Sequence, residues 1–161
     1  MKTLFLVRHA KSSRDDPSLP DRERPLNDRG LHDASMMGQR LNKSGAKPDQ
    51  LVSSPALRAL TTAQLIADEI GYRRRDIVID DRLYASSPER LLAVIRALDE
   101  ACGRVMLFGH NPEFAELAHR LAPEITGMPT CAVAEIGFDT DAWTDIGVLD
   151  AAKVTLDTPK R

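Results

Sequence analysis

Short apolar runs alternate along this chain with longer amphipathic stretches. Residues 3–7, 50–53, 77–79 and 105–108 are brief runs of branched or apolar side chains, each bounded by polar or turn residues. Unbroken runs of this length read as strands buried on both faces, the pattern of a parallel sheet. The intervening segments carry helical spacing. Leu31, Ala34, Met37 and Leu41 recur at steps of three and four, between an Asn27/Asp28 start signal and a Gly45 stop. Ala59, Ala63, Ile66 and Ile70 mark a second helix ended by Gly71, and Phe114, Leu117, Ala118 and Leu121 a short fourth one after Pro112. Leu91, Ile95, Leu98 and Cys102 mark the third, opened by Ser87-Pro88-Glu89 and stopped by Gly103, with the helix itself over 88–99.

Strand and helix alternating four times imply right-handed crossovers with helices on both faces of the sheet. Residues 131–138 and 142–148, joined by the polar turn Asp139-Thr140-Asp141, are predicted to be two further strands that finish the sheet. The expected fold is a three-layer α/β/α sandwich with a mostly parallel central sheet and one antiparallel edge strand. Between Tyr84 and Val105 there is room for one helix and no inserted cap subdomain. Residues 1–161 are expected to form one domain, long enough to bury a core without disulfide or metal staples.

Charge and composition narrow the function. A formal net charge of −2 argues against a general nucleic-acid binder, because there is no cationic excess to neutralise a duplex. The first apolar run is far too short for a signal-peptide core or a membrane span, so no membrane association is expected and the cytoplasm is the default location. Cys102 and Cys131 lie in no paired motif and read as buried free thiols in a reducing compartment.

Ligands of open parallel sheets bind outside the carboxyl ends of the strands. Arg8 and His9 follow the first strand. Ser53, Ser54 and Pro55 follow the second, with Arg58 on the next helix's first turn, and Gly109, His110 and Asn111 follow the fourth. Two histidines and two arginines thus converge on one sheet edge, and Arg24 lies in the long polar loop 12–26 beside it. Guanidinium groups match phosphate oxygens in pairs and stay charged at any working pH. Helix N-termini behind Pro55 and Pro112 would add backbone donors. His9, neutral near pH 7, can attack phosphorus to give a phosphohistidine later hydrolysed by water, and His110 can stabilise charge on the equatorial oxygens. No carboxylate cluster has metal-ligand spacing, so no metal or other cofactor is expected and the cations stand in for Mg²⁺.

Four segments, in order, carry a family resemblance. Leu6-Val7-Arg8-His9-Ala10 resembles the Arg-His-Gly signature of the histidine phosphatase (phosphoglycerate-mutase-like) superfamily. The run from Ser53 to Ala63, with Arg58, resembles its second motif. Gly109-His110-Asn111 resembles its third, and Arg24-Pro25-Leu26-Asn27-Asp28-Arg29-Gly30 the segment supplying another phosphate-binding arginine. Within the superfamily, Arg8 to Ser13 and Leu83-Tyr84-Ala85-Ser86 are most similar to the small SixA-like phosphohistidine phosphatases. The resemblance implies His9 as nucleophile, with Arg8, Arg24, Arg58 and His110 holding the phosphoryl group. Ser12 and Asn111 are candidate substrate contacts, and Lys11 and Ser13 either contact the phosphate or turn the chain.

Two departures stand out. Ala10 replaces the usual Gly, and its methyl is expected to reshape the pocket floor slightly. Leu83-Tyr84-Ala85 lacks the acid that larger members place there to protonate a leaving oxygen, although Asp80 and Asp81 lie nearby and could serve. An imidazole leaving group needs no such acid near pH 7. The expected activity is therefore dephosphorylation of phosphohistidine on a signalling or phosphorelay protein. A phosphatase or mutase of the same fold acting on a small phosphate ester, and a non-catalytic phosphate-binding module, are the alternatives. Among other singular residues, Arg22 and Arg29 could substitute for Arg24 or face solvent. His32, His119 and the Arg73-Arg74-Arg75 run read as surface, and Trp143 and Met36-Met37 as packing.

Overall fold

The computed structural model describes residues 1–160. In chain order the elements are β1 (Lys2–Arg8), α1 (Asp28–Lys43), β2 (Gln50–Ser53), α2 (Leu57–Ile70), β3 (Val78–Ile79), α3 (Pro88–Arg96), β4 (Arg104–Gly109), α4 (Glu113–Leu121), β5 (Val133–Phe138) and β6 (Lys153–Asp157). They form a sheet of order β3-β2-β4-β1-β5-β6. The pairs β3–β2, β2–β4 and β4–β1 are parallel, and antiparallel pairing is confined to one side, where β5 runs against β1 and β6 against β5. Among the described residues nothing caps the sheet between Tyr84 and Arg104 except α3.

Alternation along the central strands splits the core in two. Leu4, Leu6, Val105 and Leu107 face α3 and α4, whereas Phe5, Val7, Met106 and Phe108 face α1 and α2. Phe5, Phe108, Phe114, Phe138 and Trp143 are among the largest fully buried side chains. Each contributes roughly 1.5–3 kcal/mol or more by leaving water, so the core anchors the three strands that end at the site.

Register sets that site. Arg8 pairs with Gly109 and Ser53 with Phe108. The ladder then continues one step, with the His9 N–H donating to the Gly109 carbonyl at 3.0 Å and the Ser54 N–H to that of Phe108 at 3.0 Å. His9, Ser54 and His110 consequently leave three neighbouring strands side by side. Two glycines permit close approaches here. A Cβ on Gly30 would lie against the Lys11 carbonyl oxygen, and one on Gly109 would enter the Phe114 ring.

Several boundaries differ from the sequence expectation. Residues 142–148 are not a strand but a 3-10 turn (Trp143–Asp145) and its exit. Trp143 and Ile146 are the buried pair, a spacing of three rather than two, and the Trp143 indole N–H donates to the Cys102 carbonyl at 2.8 Å. Gly147, at φ +90°, then redirects the chain, and the edge strand is β6 instead. The strand expected over 131–138 begins only at Val133, because Cys131 adopts a left-handed backbone at φ +63°. The run at 77–79 is not buried on both faces. β3 is an edge strand with Val78 and Ile79 exposed, and Ile77 caps the preceding turn. The third helix stops at Arg96, yet Leu98 and Cys102 still pack against the core.

Candidate active site

A cavity of about 600 Å³ opens at the carboxyl ends of β1 and β4, lined by Arg8, His9, Ser12, Arg24, Arg58 and His110 among others. Ser13, Lys11 and Asn111 line it as well. A cavity of about 660 Å³ lies elsewhere, between the end of α1 and the β5–β6 pair, and contains no histidine or cysteine.

His9 is buried, and its Nδ1 lies 2.7 Å from the Ala10 carbonyl oxygen. A carbonyl can only accept, so Nδ1 carries the ring proton and Nε2 keeps its lone pair. Burial lowers the His9 pKa to about 4, and the positive charges of Arg58, Arg8 and Arg24 push the same way against the Ala10 hydrogen bond. The ring is therefore neutral near pH 7. The ring centroids of His9 and His110 lie 5.2 Å apart. Burial, with His9 and Arg58 as further causes, lowers the His110 pKa to about 3. Its Nε2 is 2.8 Å from the Ser54 hydroxyl, which also accepts the Ala56 N–H at 3.2 Å. With the Ser54 hydroxyl as donor to Nε2, the single ring proton of His110 lies on Nδ1.

Each arginine is held by one part of its fork. Arg8 donates from one terminal nitrogen to the Met128 carbonyl at 3.0 Å. Arg58 donates from both terminal nitrogens to Asp21, at 2.7 Å to its carbonyl and 3.0 Å to its carboxylate. Arg24 donates to the Ser12 hydroxyl at 2.8 Å and through Nε to the Asp21 carboxylate at 3.2 Å. Four buried side-chain polar atoms among the described residues find no partner in the protein, and three of them are Arg8 Nε, Arg58 Nε and His110 Nδ1. Buried polar groups are nearly always satisfied, and these three belong to side chains that line one cavity, which suits a ligand rich in acceptor oxygens.

The structure brings together Arg8, His9, Arg24, Arg58 and His110. Arg22 lies over the Tyr84 ring instead, and Arg29 pairs with Asp33. Asn111 lines the cavity with its amide engaged at both ends, donating to the Met128 carbonyl and accepting the Ala115 N–H. The Ala10 methyl does not line the cavity but joins the core beside Phe5 and Val7, so it does not reshape the floor. Its N–H donates to the Thr62 hydroxyl at 3.0 Å, which in turn donates to the Arg58 carbonyl at 2.8 Å. Asp80 and Asp81 are outside the lining: Asp80 is bound by Arg82, and Asp81 pairs with Arg22.

Sequence reasoning passed over Asp21. It was one charge among many in loop 12–26, yet its carboxylate joins Arg58, Arg24 and the Tyr84 hydroxyl, the last at 2.6 Å. Those donors, Tyr84 foremost, hold its carboxyl well below the usual carboxylate range. No spacing rule links Asp21 to Arg58; the loop's return onto α2 does.

Neutral histidines set among anchored guanidiniums at the edge of a three-layer α/β/α sheet define an enzyme that handles phosphoryl groups. The sequence model of the histidine phosphatase superfamily (branch 1) matches residues 4–87, which contain Arg8, His9, Arg24 and Arg58. The chain belongs to that superfamily and is a phosphatase. Its SixA-like character shows in a candidate phosphohistidine phosphatase SixA from Agrobacterium tumefaciens, 30% identical over 84% of this chain and 90% of that one, with a TM-score of 0.77. The protein histidine phosphatase SixA complexed with tungstate shares the fold at a TM-score of 0.83 and 22% identity, over 98% and 97% of the two chains. An uncharacterized chloroplastic protein of Arabidopsis thaliana is 28% identical over 152 residues, 89% of this chain and 70% of that one. Among the described residues no helix is long and apolar enough to cross a membrane.

Proposed function

We propose that this phosphatase works through a covalent phosphohistidine on His9 and removes phosphoryl groups from phosphohistidine on a signalling protein. The observation that carries the reading is one cavity lined by Arg8, Arg24, Arg58 and His110, three of them with a buried nitrogen that has no protein partner, beside a neutral His9 whose Nε2 keeps its lone pair. The Nε2 pair attacks phosphorus, the bond to the leaving nitrogen breaks, and its electron pair stays on the leaving imidazole, which takes its proton from solvent. Water then attacks the phosphoryl-His9 phosphorus, its proton leaves to solvent, and the Nε2 lone pair is restored as inorganic phosphate departs. Arg8, Arg24, Arg58 and His110 bind the oxygens in both steps.

The leaving group is argued from the acids. Of the carboxylates, only Asp15 and Asp21 line the cavity. Asp21 is kept ionised by its three donors and has no proton to give. A leaving nitrogen needs none, whereas an alkoxide does. The uncapped cavity also admits a side chain presented on a protein surface. Free Cys102 and buried Cys131 suit a reducing compartment such as the cytoplasm.

Rapid alkaline quench with ³²P-labelled phosphohistidine protein tests this. Acid-labile label is expected on the wild type and absent from His9→Ala, with no turnover of sugar phosphates. An unlabelled wild type matched in rate by His9→Ala rules out covalent catalysis at His9. Turnover of small esters but not of the phosphoprotein transfers the reading to a metabolite phosphatase.

A further inference from the structure

We propose that Asp21 is the positioning residue of the phosphate clamp: from the loop before α1 it fixes which face of Arg58, and which orientation of Arg24, meets the phosphoryl group. The proposal rests on the phosphatase reading above and adds a residue to it.

Asp21 sits in the 3-10 turn Asp21–Glu23, with its side chain about half exposed (53%). Although exposed, it accepts four hydrogen bonds from groups of the site: two from Arg58, one from Arg24 Nε and one from the Tyr84 hydroxyl. The two from Arg58 come from different terminal nitrogens and end on different Asp21 atoms, the carbonyl and Oδ2. A two-point contact removes rotation of the planar guanidinium, so the unpartnered Nε is aimed by the other two nitrogens. Asp21 thus takes one hydrogen from each of Arg58 Nη1 and Nη2, and the second hydrogen on each terminal nitrogen remains for an anion once the plane of the guanidinium is fixed. Arg8 has a one-point anchor instead, from a terminal nitrogen to the Met128 carbonyl, and its Nε is likewise buried without a protein partner.

The carboxylate also lies between two cations that would otherwise repel. Its Oδ1 takes Arg24 and its Oδ2 takes Arg58, so one negative charge lets both guanidiniums face the same cavity. Tyr84 supplies the third point. Its hydroxyl fixes Oδ2, its ring stands edge-on to His110 at 5.6 Å, and Arg22 covers it at 4.9 Å. The loop that carries Asp21 is thereby tied to the segment before α3, and the clamp is braced from both sides of the cavity.

A carboxylate on phosphate-binding arginines has an opposite reading, as an internal competitor for the incoming anion. Orthovanadate binding by calorimetry and steady-state turnover of an aryl phosphate separate the two. Asp21→Ala is expected to weaken orthovanadate and to lower kcat/KM by about 10- to 100-fold, the scale of a misplaced binding group. Its thermal midpoint should stay near wild type, because the side chain is half exposed. Asp21→Asn keeps an acceptor oxygen and is expected to recover part of the loss. In an Arg58→Ala background the Asp21→Ala loss should shrink, because its main target is gone. Orthovanadate affinity equal to or tighter than wild type in Asp21→Ala overturns the proposal and leaves the phosphatase reading intact. A wild type that neither binds orthovanadate nor turns over substrate overturns the phosphatase reading itself.

Discussion

Protonating His9 probes the site's electrostatics most directly. Its pKa falls from the ordinary 6.5 to about 4, with burial as the first cause and the charges of Arg58, Arg8 and Arg24 as the rest. At pH 5 an ordinary imidazole is only about 3% neutral, whereas one with this pKa is about 90% neutral. Nucleophile concentration at pH 5 should therefore be within about twofold of that at pH 7, instead of falling about 25-fold. His110, lowered to about 3, titrates further down still, and the two rings titrate as a coupled pair.

The same shift makes a stability claim with a definite sign. Between pH 6.5 and about 4 the unfolded chain binds a proton at His9 that the folded one refuses. Stability is thus fully present above pH 6.5 and is lost as pH falls through that window, by about 3 kcal/mol for His9 alone. Ring nitrogen resonances followed by ¹⁵N NMR from pH 4 to 8, assigned with His9→Gln and His110→Gln, read the populations directly. Urea denaturation at each pH reads the stability. Either ring titrating near 6.5, or a denaturation free energy flat from pH 7 to 4.5, would refute the reasoning.

Two further substitutions test how the site is held. Thr62→Val removes the acceptor of the Ala10 N–H and the donor to the Arg58 carbonyl, stranding a buried amide, and should cost about 1–3 kcal/mol in urea denaturation; a loss under about 0.5 kcal/mol would mean that the amide finds another partner. Gly109→Ala drives a methyl into the Phe114 ring and should cost about 1–3 kcal/mol by the same measure, recovered in part by the paired Phe114→Leu; full stability in the single variant would show that Phe114 moves freely.

The strands that end at the site were legible because they are buried on both faces, and their apolar runs stop abruptly where the polar site residues begin. That is why Arg8-His9, Ser54 and His110 could be placed on one edge from spacing alone. Periodicity failed where burial is one-sided or absent. β6 carries exposed Lys153, Thr155 and Leu156, so it lacks an apolar signature, while Trp143 and Ile146 lent a strand-like composition to a turn. β3 has strand composition but leaves Val78 and Ile79 exposed at the sheet edge, which composition cannot reveal. The departure at Leu83-Tyr84-Ala85 was legible, and the structure turns the carboxylates nearest to it elsewhere: Asp80 and Asp81 pair with arginines outside the cavity lining.

What stayed hidden has a common cause. Arg8 is anchored by the Met128 carbonyl, Arg58 partly by that of Asp21, Arg24 partly by that of Ser13, and His9 by that of Ala10. Backbone acceptors are the same whatever residue provides them, so the loop sequences that position the clamp leave no signature of residue type. Their effect is energetic. Holding three donors buried and unpaired costs the fold on the order of 1–3 kcal/mol for each, offset by the backbone and Asp21 contacts on the rest of each side chain. Side chains anchored in this way need little reorganisation when an oxyanion arrives. Stability and affinity are therefore linked at the same side chains: oxyanion binding must raise the unfolding free energy, and loosening an anchor is expected to lower that gain.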